Sequence, residues 1–231
     1  MDLADNLDRI HKRIATASAQ AGRDAGSVTL LAVTKNQPPE VIEQAAMLGL
    51  TLFGENKVQE AKAKIPLCSG RLRWQMIGHL QTNKCRDAVE LFEMIQSVDS
   101  LHLAQELSKR AEQAAKTMPI LLEVNIVGEA SKFGYRPEQL RADLPRLGHL
   151  PRLEIQGLMT IPPWTADAEK SGAVFRQLRE LKDECEQALA RPLPHLSMGM
   201  TGDFEIAIRE GATMVRIGTA LFGPRPRPRT F

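Results

Sequence analysis

Apolar runs of strand length recur eight times along the chain, at residues 28–33, 51–53, 72–77, 93–98, 120–125, 155–160, 195–200 and 214–217. Segments of helical periodicity separate them. Pro38 and Pro39 suit a first helical turn ahead of a Val41, Ile42, Ala45 and Leu48 face, and Gly49 stands where a helix C-terminus favours glycine. Asp99 or Ser100 suits the cap of a helix that turns Leu103, Leu107, Ala111 and Ala114 inward. Val174, Leu178, Leu181, Cys185 and Ala188 form a similar stripe, and Leu7, Ile10 and Ile14 give an amphipathic helix ahead of the first strand. Eight strand–helix units in 231 residues predict an α/β fold, a single (β/α)8 TIM barrel spanning residues 1–223 as one domain. A doubly wound sheet would place a glycine-rich turn after its first strand, and none is present. The last eight residues, Pro224-Arg-Pro-Arg-Pro-Arg-Thr-Phe231, cannot hold a regular helix or a central strand, so residues 224–231 are expected to be a flexible tail.

Composition narrows the functional classes. The net charge of +2 is too small to call for nucleic acid, and no apolar run approaches the ~20 residues of a membrane span. The first 22 residues alternate charged and apolar groups, unlike a secretory leader. Cys68, Cys85 and Cys185 form no CxxC pair, which suits structural thiols in a reducing cytoplasm. His79, His102, His149 and His195 fall in separate elements without metal-ligand spacing, so no metal is expected. His195, opening strand 7, is expected at the bottom of the barrel, and Met159, Met198 and Met200 as core filler.

The candidate chemistry begins at Leu30-Leu-Ala-Val-Thr-Lys35, a buried-strand pattern that delivers one amine to the end of a sheet. Desolvation there lowers a lysine's pKa and frees its lone pair for Schiff-base chemistry. In a (β/α)8 barrel the loops after strands 7 and 8 often hold a phosphate. Ser197-Met-Gly-Met-Thr201-Gly202 and Arg216-Ile-Gly218-Thr219 fall at those two places. They offer hydroxyls, close backbone approach and the start of a helix near Asp203. Lys35 ends strand 1, beside strand 8 once the barrel closes. Arg216, within strand 8, needs a polar partner, either a ligand ring nitrogen or a core carboxylate such as Glu123.

Thr34-Lys35, Gly54-Glu-Asn56, Gly78-His-Leu-Gln-Thr-Asn83-Lys84, Ser131-Lys132-x-Gly134, Gly157-Leu-Met-Thr160-Ile-Pro, Ser197-Met-Gly-Met-Thr201 and Arg216-Ile-Gly-Thr219 occur in that order. Together they resemble the pyridoxal phosphate homeostasis protein family over residues 5 to 223. The resemblance implies a barrel of the alanine-racemase type and pyridoxal 5′-phosphate (PLP) as cofactor. It makes Lys35 the lysine of the Schiff base and matches Thr201, Gly218 and Thr219 to the positions that hold the phosphate, with Ser197 a further cofactor-binding candidate from the hydroxyl it offers in the loop after strand 7. It sets Arg216 facing the pyridine nitrogen and Asn56 lining the pocket. Thr201 stands where serine is usual and His79 where proline is frequent. An arginine cannot accept a proton, so the ring nitrogen stays neutral and the electron sink is weakened, which disfavours transamination and decarboxylation. The implied role is a cytoplasmic, monomeric PLP carrier in vitamin B6 and amino-acid homeostasis, with PLP-dependent apo-enzymes as recipients. The alternative is a PLP-dependent amino-acid racemase, which needs a second acid–base group. Tyr135, the one tyrosine, reads as a half-exposed loop aromatic. A class I aldolase fits the lysine and the phosphate loops but leaves Arg216 without a role beyond binding. Lys84 and Lys132 are candidates for a second anion site.

Overall fold

The computed structural model describes residues 2–163, 165 and 167–223. Eight strands, β1 (Thr29–Val33), β2 (Leu52–Glu55), β3 (Arg73–Met76), β4 (Met94–Val98), β5 (Met118–Glu123), β6 (Leu153–Met159), β7 (His195–Ser197) and β8 (Met214–Ile217), close into one parallel barrel. The seam is β1 against β8, with Leu31 opposite Arg216. The tail expected over residues 224–231 lies outside the described residues.

Helix α1 (Leu3–Gln20) precedes the barrel, and α2 (Pro39–Met47), α3 (Val58–Lys64), α4 (Cys85–Leu91), α5 (Leu101–Gln113), α6 (Pro137–Gly148), α7 (Glu169–Leu189), α8 (Phe204–Arg209) and α9 (Thr219–Phe222) each follow a strand in turn. Their apolar faces pack on the outward side chains of the strands, Ala32, Phe53, Trp74, Ile95, Ile120, Leu158 and Val215 among them, in one continuous core. Two separate clusters, Leu31–Leu52–Ile77–Met214 and Met94–Leu121–Met159, occupy the alternate positions and fill the barrel's interior. Ser100 caps α5, its Oγ accepting the Leu103 N–H at 3.3 Å. The predicted helical stripes run one residue too far at their C-terminal ends. Leu48, Ala114 and Ala188 are exposed, because the last turn has already left the sheet.

Strand β7 is shorter than the sequence pattern predicts. It stops at Ser197 because Gly199 turns the chain at φ +93°, and a Cβ there would sit 2.6 Å from the Ala207 Cβ and 2.9 Å from the Phe204 Cα. The ladder continues past the turn only through the Arg216 N–H, which donates to the Gly199 carbonyl at 3.0 Å. His195 opens β7 opposite Gly157, at the N-terminal end of the barrel, and burial pulls its pKa down. Tyr135 differs from expectation: it is 2% exposed, its segment folded back so that the Tyr135 N–H donates to the Glu123 carbonyl at 2.7 Å.

Candidate cofactor-binding site

A cavity of about 530 Å³ opens at the C-terminal end of the barrel, the size range of small-molecule sites. Lys35 and Asn56 line it from the ends of β1 and β2, and Arg216, Gly218 and Thr219 from the end of β8. Met200, Thr201 and Gly202 reach it from the loop after β7, Ile161 from the loop after β6. Six of the seven residues singled out from sequence therefore meet in one place.

Ser197 is the exception and a correction. It is fully buried and stands behind the wall, where its Oγ accepts from the Arg216 Nη1 at 2.7 Å and donates to the Gln96 Oε1 at 2.6 Å. At the helix start near Asp203 the Asp203 and Phe204 N–H groups are not open to an anion, because they donate to the Met200 carbonyl at 3.1 and 2.9 Å. Met200 lines the cavity instead of filling the core. Thr201 keeps its place through its Oγ1, which accepts the Ala220 N–H of α9 at 3.2 Å.

Two networks behind the wall hold the two cations, and neither was anticipated. The first fixes the backbone on both sides of Lys35. Thr34 donates its hydroxyl to the Glu55 Oε1 at 2.6 Å, and its carbonyl accepts from the Lys64 Nζ at 2.8 Å. Lys64 also pairs with Glu55 at 2.8 Å and Glu60 at 2.7 Å, and Glu60 accepts the Asn36 N–H at 2.6 Å. Asn36 lies at φ +62°, so the chain turns sharply just after Lys35 and is pinned as it does. Burial raises the Glu55 pKa against the bonds from Lys64 and Thr34, which favour its charged form.

The second network holds Arg216, 3% exposed inside the barrel. Its Nη1 donates to Ser197, and its Nη2 to the Thr160 carbonyl at 2.9 Å. Burial lowers its pKa to about 10, with Glu123 and Asp203 pulling the other way. It stays charged at neutral pH. Of the two partners left open from sequence, Glu123 makes no ion pair with it within 4 Å among the described residues, although its field is felt.

Among the described residues that line the cavity there is no Asp, Glu, His, Cys or Tyr. Tyr135 is not among them, so the racemase alternative gains no second acid–base group from these walls. Lys84 and Lys132 do not line the cavity, and Lys132 is engaged with Glu129 at 3.3 Å and the Pro162 carbonyl at 2.9 Å. His79 stacks on Phe133, ring centroids 3.5 Å apart, with Asp99 at 3.1 Å. Among the described residues no group of three or more His, Cys, Asp or Glu could hold a metal, and no helix is long and apolar enough to cross a membrane.

A closed parallel barrel with a lysine at the end of its first strand and an arginine in its eighth defines a class, and the family described as "Alanine racemase, N-terminal domain" matches residues 6–226. A pyridoxal phosphate homeostasis protein of Aquifex aeolicus is 44% identical over 226 residues, 97% of this chain and 99% of that one. The Pseudomonas aeruginosa protein of the same name is 45% identical over 224 residues, 96% of both. The chain belongs to the pyridoxal phosphate homeostasis protein family. PipY of Synechococcus elongatus, 38% identical, superposes with TM-scores of 0.88 without PLP and 0.85 with PLP bound, covering 96% of this chain and 100% of that one.

Proposed function

We propose that this protein binds PLP in the cavity at the C-terminal end of the barrel, with Lys35 holding the aldehyde end, and serves intracellular PLP homeostasis. The observation that carries the reading is the convergence of Lys35 and Arg216, two cations, in one cavity with no carboxylate among its described lining residues. Such walls suit an anionic ligand. The residues fit PLP in three further respects. The Asn56 Oδ1 is buried with no hydrogen-bond partner, so it awaits a donor. A Cβ at Gly202 would meet nothing within 4 Å, and Gly218 is crowded only by Val33, which leaves room for a bulky anion between the two loops. The guanidinium of Arg216 has five N–H donors, and its two bonds to Ser197 and Thr160 leave others over for a ring acceptor.

When bound, PLP supplies an aldehyde carbon with which a primary amine bonds reversibly. Thr201, Gly218 and Thr219 bind the phosphate through hydroxyls and main-chain N–H groups, and Asn56 orients the ring from the β2 side. Arg216 donates to the ring nitrogen and leaves it unprotonated, which favours holding the cofactor over carbanion chemistry. In this reading PLP-dependent apo-enzymes are the recipients, the protein acts as a monomer, and it works in the cytosol, where its three free cysteines persist. The test is a PLP titration followed by visible absorbance, then borohydride reduction and peptide mass spectrometry. A new visible band and a pyridoxyl mass on the Lys35 peptide are expected, both absent in Lys35→Ala. Retention of the band in that variant would overturn the assignment.

A further inference from the structure

Gln75 and Gln96 are polar residues in the middle of two apolar strands, 2% and 0% exposed, and both point into the barrel's interior. Each costs stability unless it is hydrogen-bonded. They are linked in one line. Arg216 donates to Ser197 at 2.7 Å, Ser197 to the Gln96 Oε1 at 2.6 Å, the Gln96 Nε2 to the Gln75 Oε1 at 2.6 Å, and the Gln75 Nε2 to the Glu93 Oε1 at 3.1 Å. Glu93 lies just before β4, toward the N-terminal end of the barrel, and its other oxygen accepts from Arg73 at 2.8 Å.

The direction of every bond is forced by the two ends. A guanidinium only donates and a carboxylate only accepts. Gln75 must therefore turn its amide nitrogen to Glu93, which presents its oxygen to Gln96. Gln96 must donate to that oxygen, so its own oxygen faces Ser197. The Ser197 proton then points away from Arg216 and its lone pair toward it. Bonds aligned this way polarise one another.

We propose that Gln75, Gln96 and Ser197 form a polarised relay that fixes the Arg216 guanidinium in one pose and ties it to Glu93 at the far end of the barrel. They are positioning residues for whatever acceptor faces Arg216 in the cavity; that the acceptor belongs to PLP rests on the function proposed above. The relay also explains how a buried guanidinium persists with no carboxylate in contact. Its partial neutralisation is delivered through neutral dipoles, and the cavity keeps its positive wall.

The test uses the full chain labelled with 15N-arginine, first without PLP. In wild type the Arg216 side-chain protons are expected to exchange slowly with solvent. Gln96→Met, similar in volume, is expected to speed that exchange at least tenfold while the backbone amides of Val215 and Ile217 keep their protection. PLP affinity should then fall about tenfold, the scale of a weakened hydrogen bond to a charged group. Glu93→Gln is distant from the cavity and carries the test if Gln96→Met fails to fold; it should speed the exchange at least threefold, because an amide end no longer fixes which way the amides of Gln75 and Gln96 face. Arg216 exchange within twofold of wild type in whichever variants fold would overturn the relay. Faster exchange in a protein that binds no PLP would leave the relay standing and remove the cofactor reading.

Discussion

Glu123→Gln tests whether the electrostatics of the barrel mouth are set by burial. Glu123 ends β5 with 7% exposure, and no hydrogen bond reaches its carboxylate among the described residues. Burial raises its pKa from an ordinary 4.5 to about 7, assisted by Asp99 and opposed by Arg216. Between those two values the folded protein holds a proton that the unfolded chain has released, so stability falls as pH rises through that window and levels off above about 7. At ~1.4 kcal/mol for each tenfold change in the proton equilibrium, the displacement amounts to roughly 3 kcal/mol. The amide cannot ionise and occupies the same volume. Urea unfolding of the PLP-free protein should give Glu123→Gln a stability near wild type at pH 4.5 and about 2–3 kcal/mol above it at pH 8, with an unchanged m-value. Stability curves that run parallel from pH 4.5 to 8 would refute the reasoning.

Two further outcomes follow from the site's supports. Lys64→Met leaves Glu55 buried without its counter-charge, so unfolding at pH 7 should show a loss of ~3–5 kcal/mol that shrinks as acid protonates the carboxylate; a loss below ~1 kcal/mol would mean the network does not hold the Lys35 turn. Thr201→Val removes the hydroxyl that accepts the Ala220 N–H and, in the proposed function, one donor to the phosphate. PLP affinity should fall about tenfold while Thr201→Ser stays near wild type. Pyridoxal, which lacks the phosphate, should bind both variants alike, and an equal loss for the two ligands would remove Thr201 from the phosphate site.

The strands were legible because a buried parallel strand is an almost unbroken apolar run, and eight such runs at barrel spacing leave few alternatives. Lys35, Arg216 and the two loops were legible for a related reason, since a charged residue at or near the C-terminal end of a buried strand is carried to that face of the barrel. What escaped was mostly the second layer. Glu55 sits in the quoted Gly54-Glu-Asn56 motif, yet its partner Lys64 is on the next helix, and nothing in sequence spacing pairs them. A carboxylate inside an all-buried strand was the available signal, because such a group needs a cation. Gln75 and Gln96 gave the same kind of signal, each a polar residue in a mostly apolar, buried stretch of strand. Ser197 was misplaced because a hydroxyl beside a phosphate loop looks alike whether it faces the ligand or the residue behind it. Tyr135 was misread as half-exposed because a loop that doubles back to bridge Val124 leaves no periodic trace.

The two cations of the cavity are thus supported in opposite ways, and the difference suits their proposed tasks. Lys35 is controlled through its backbone. Charges on α3 and at the end of β2, facing outward from the barrel, grip the residues before and after it, while the side chain itself reaches into the cavity. An amine that must form and release a bond to a ligand needs a fixed root. Arg216 is controlled through its side chain, clamped by Ser197 and Thr160 from inside the barrel. A donor that sets the protonation of a ring nitrogen needs a fixed head, because its effect depends on keeping one hydrogen bond in place. The two networks, as described, share no residue, one lying outside the strands and one inside. Altering the lysine's root should therefore act on capture of the aldehyde, and altering the arginine's clamp on the electronic character of what is captured.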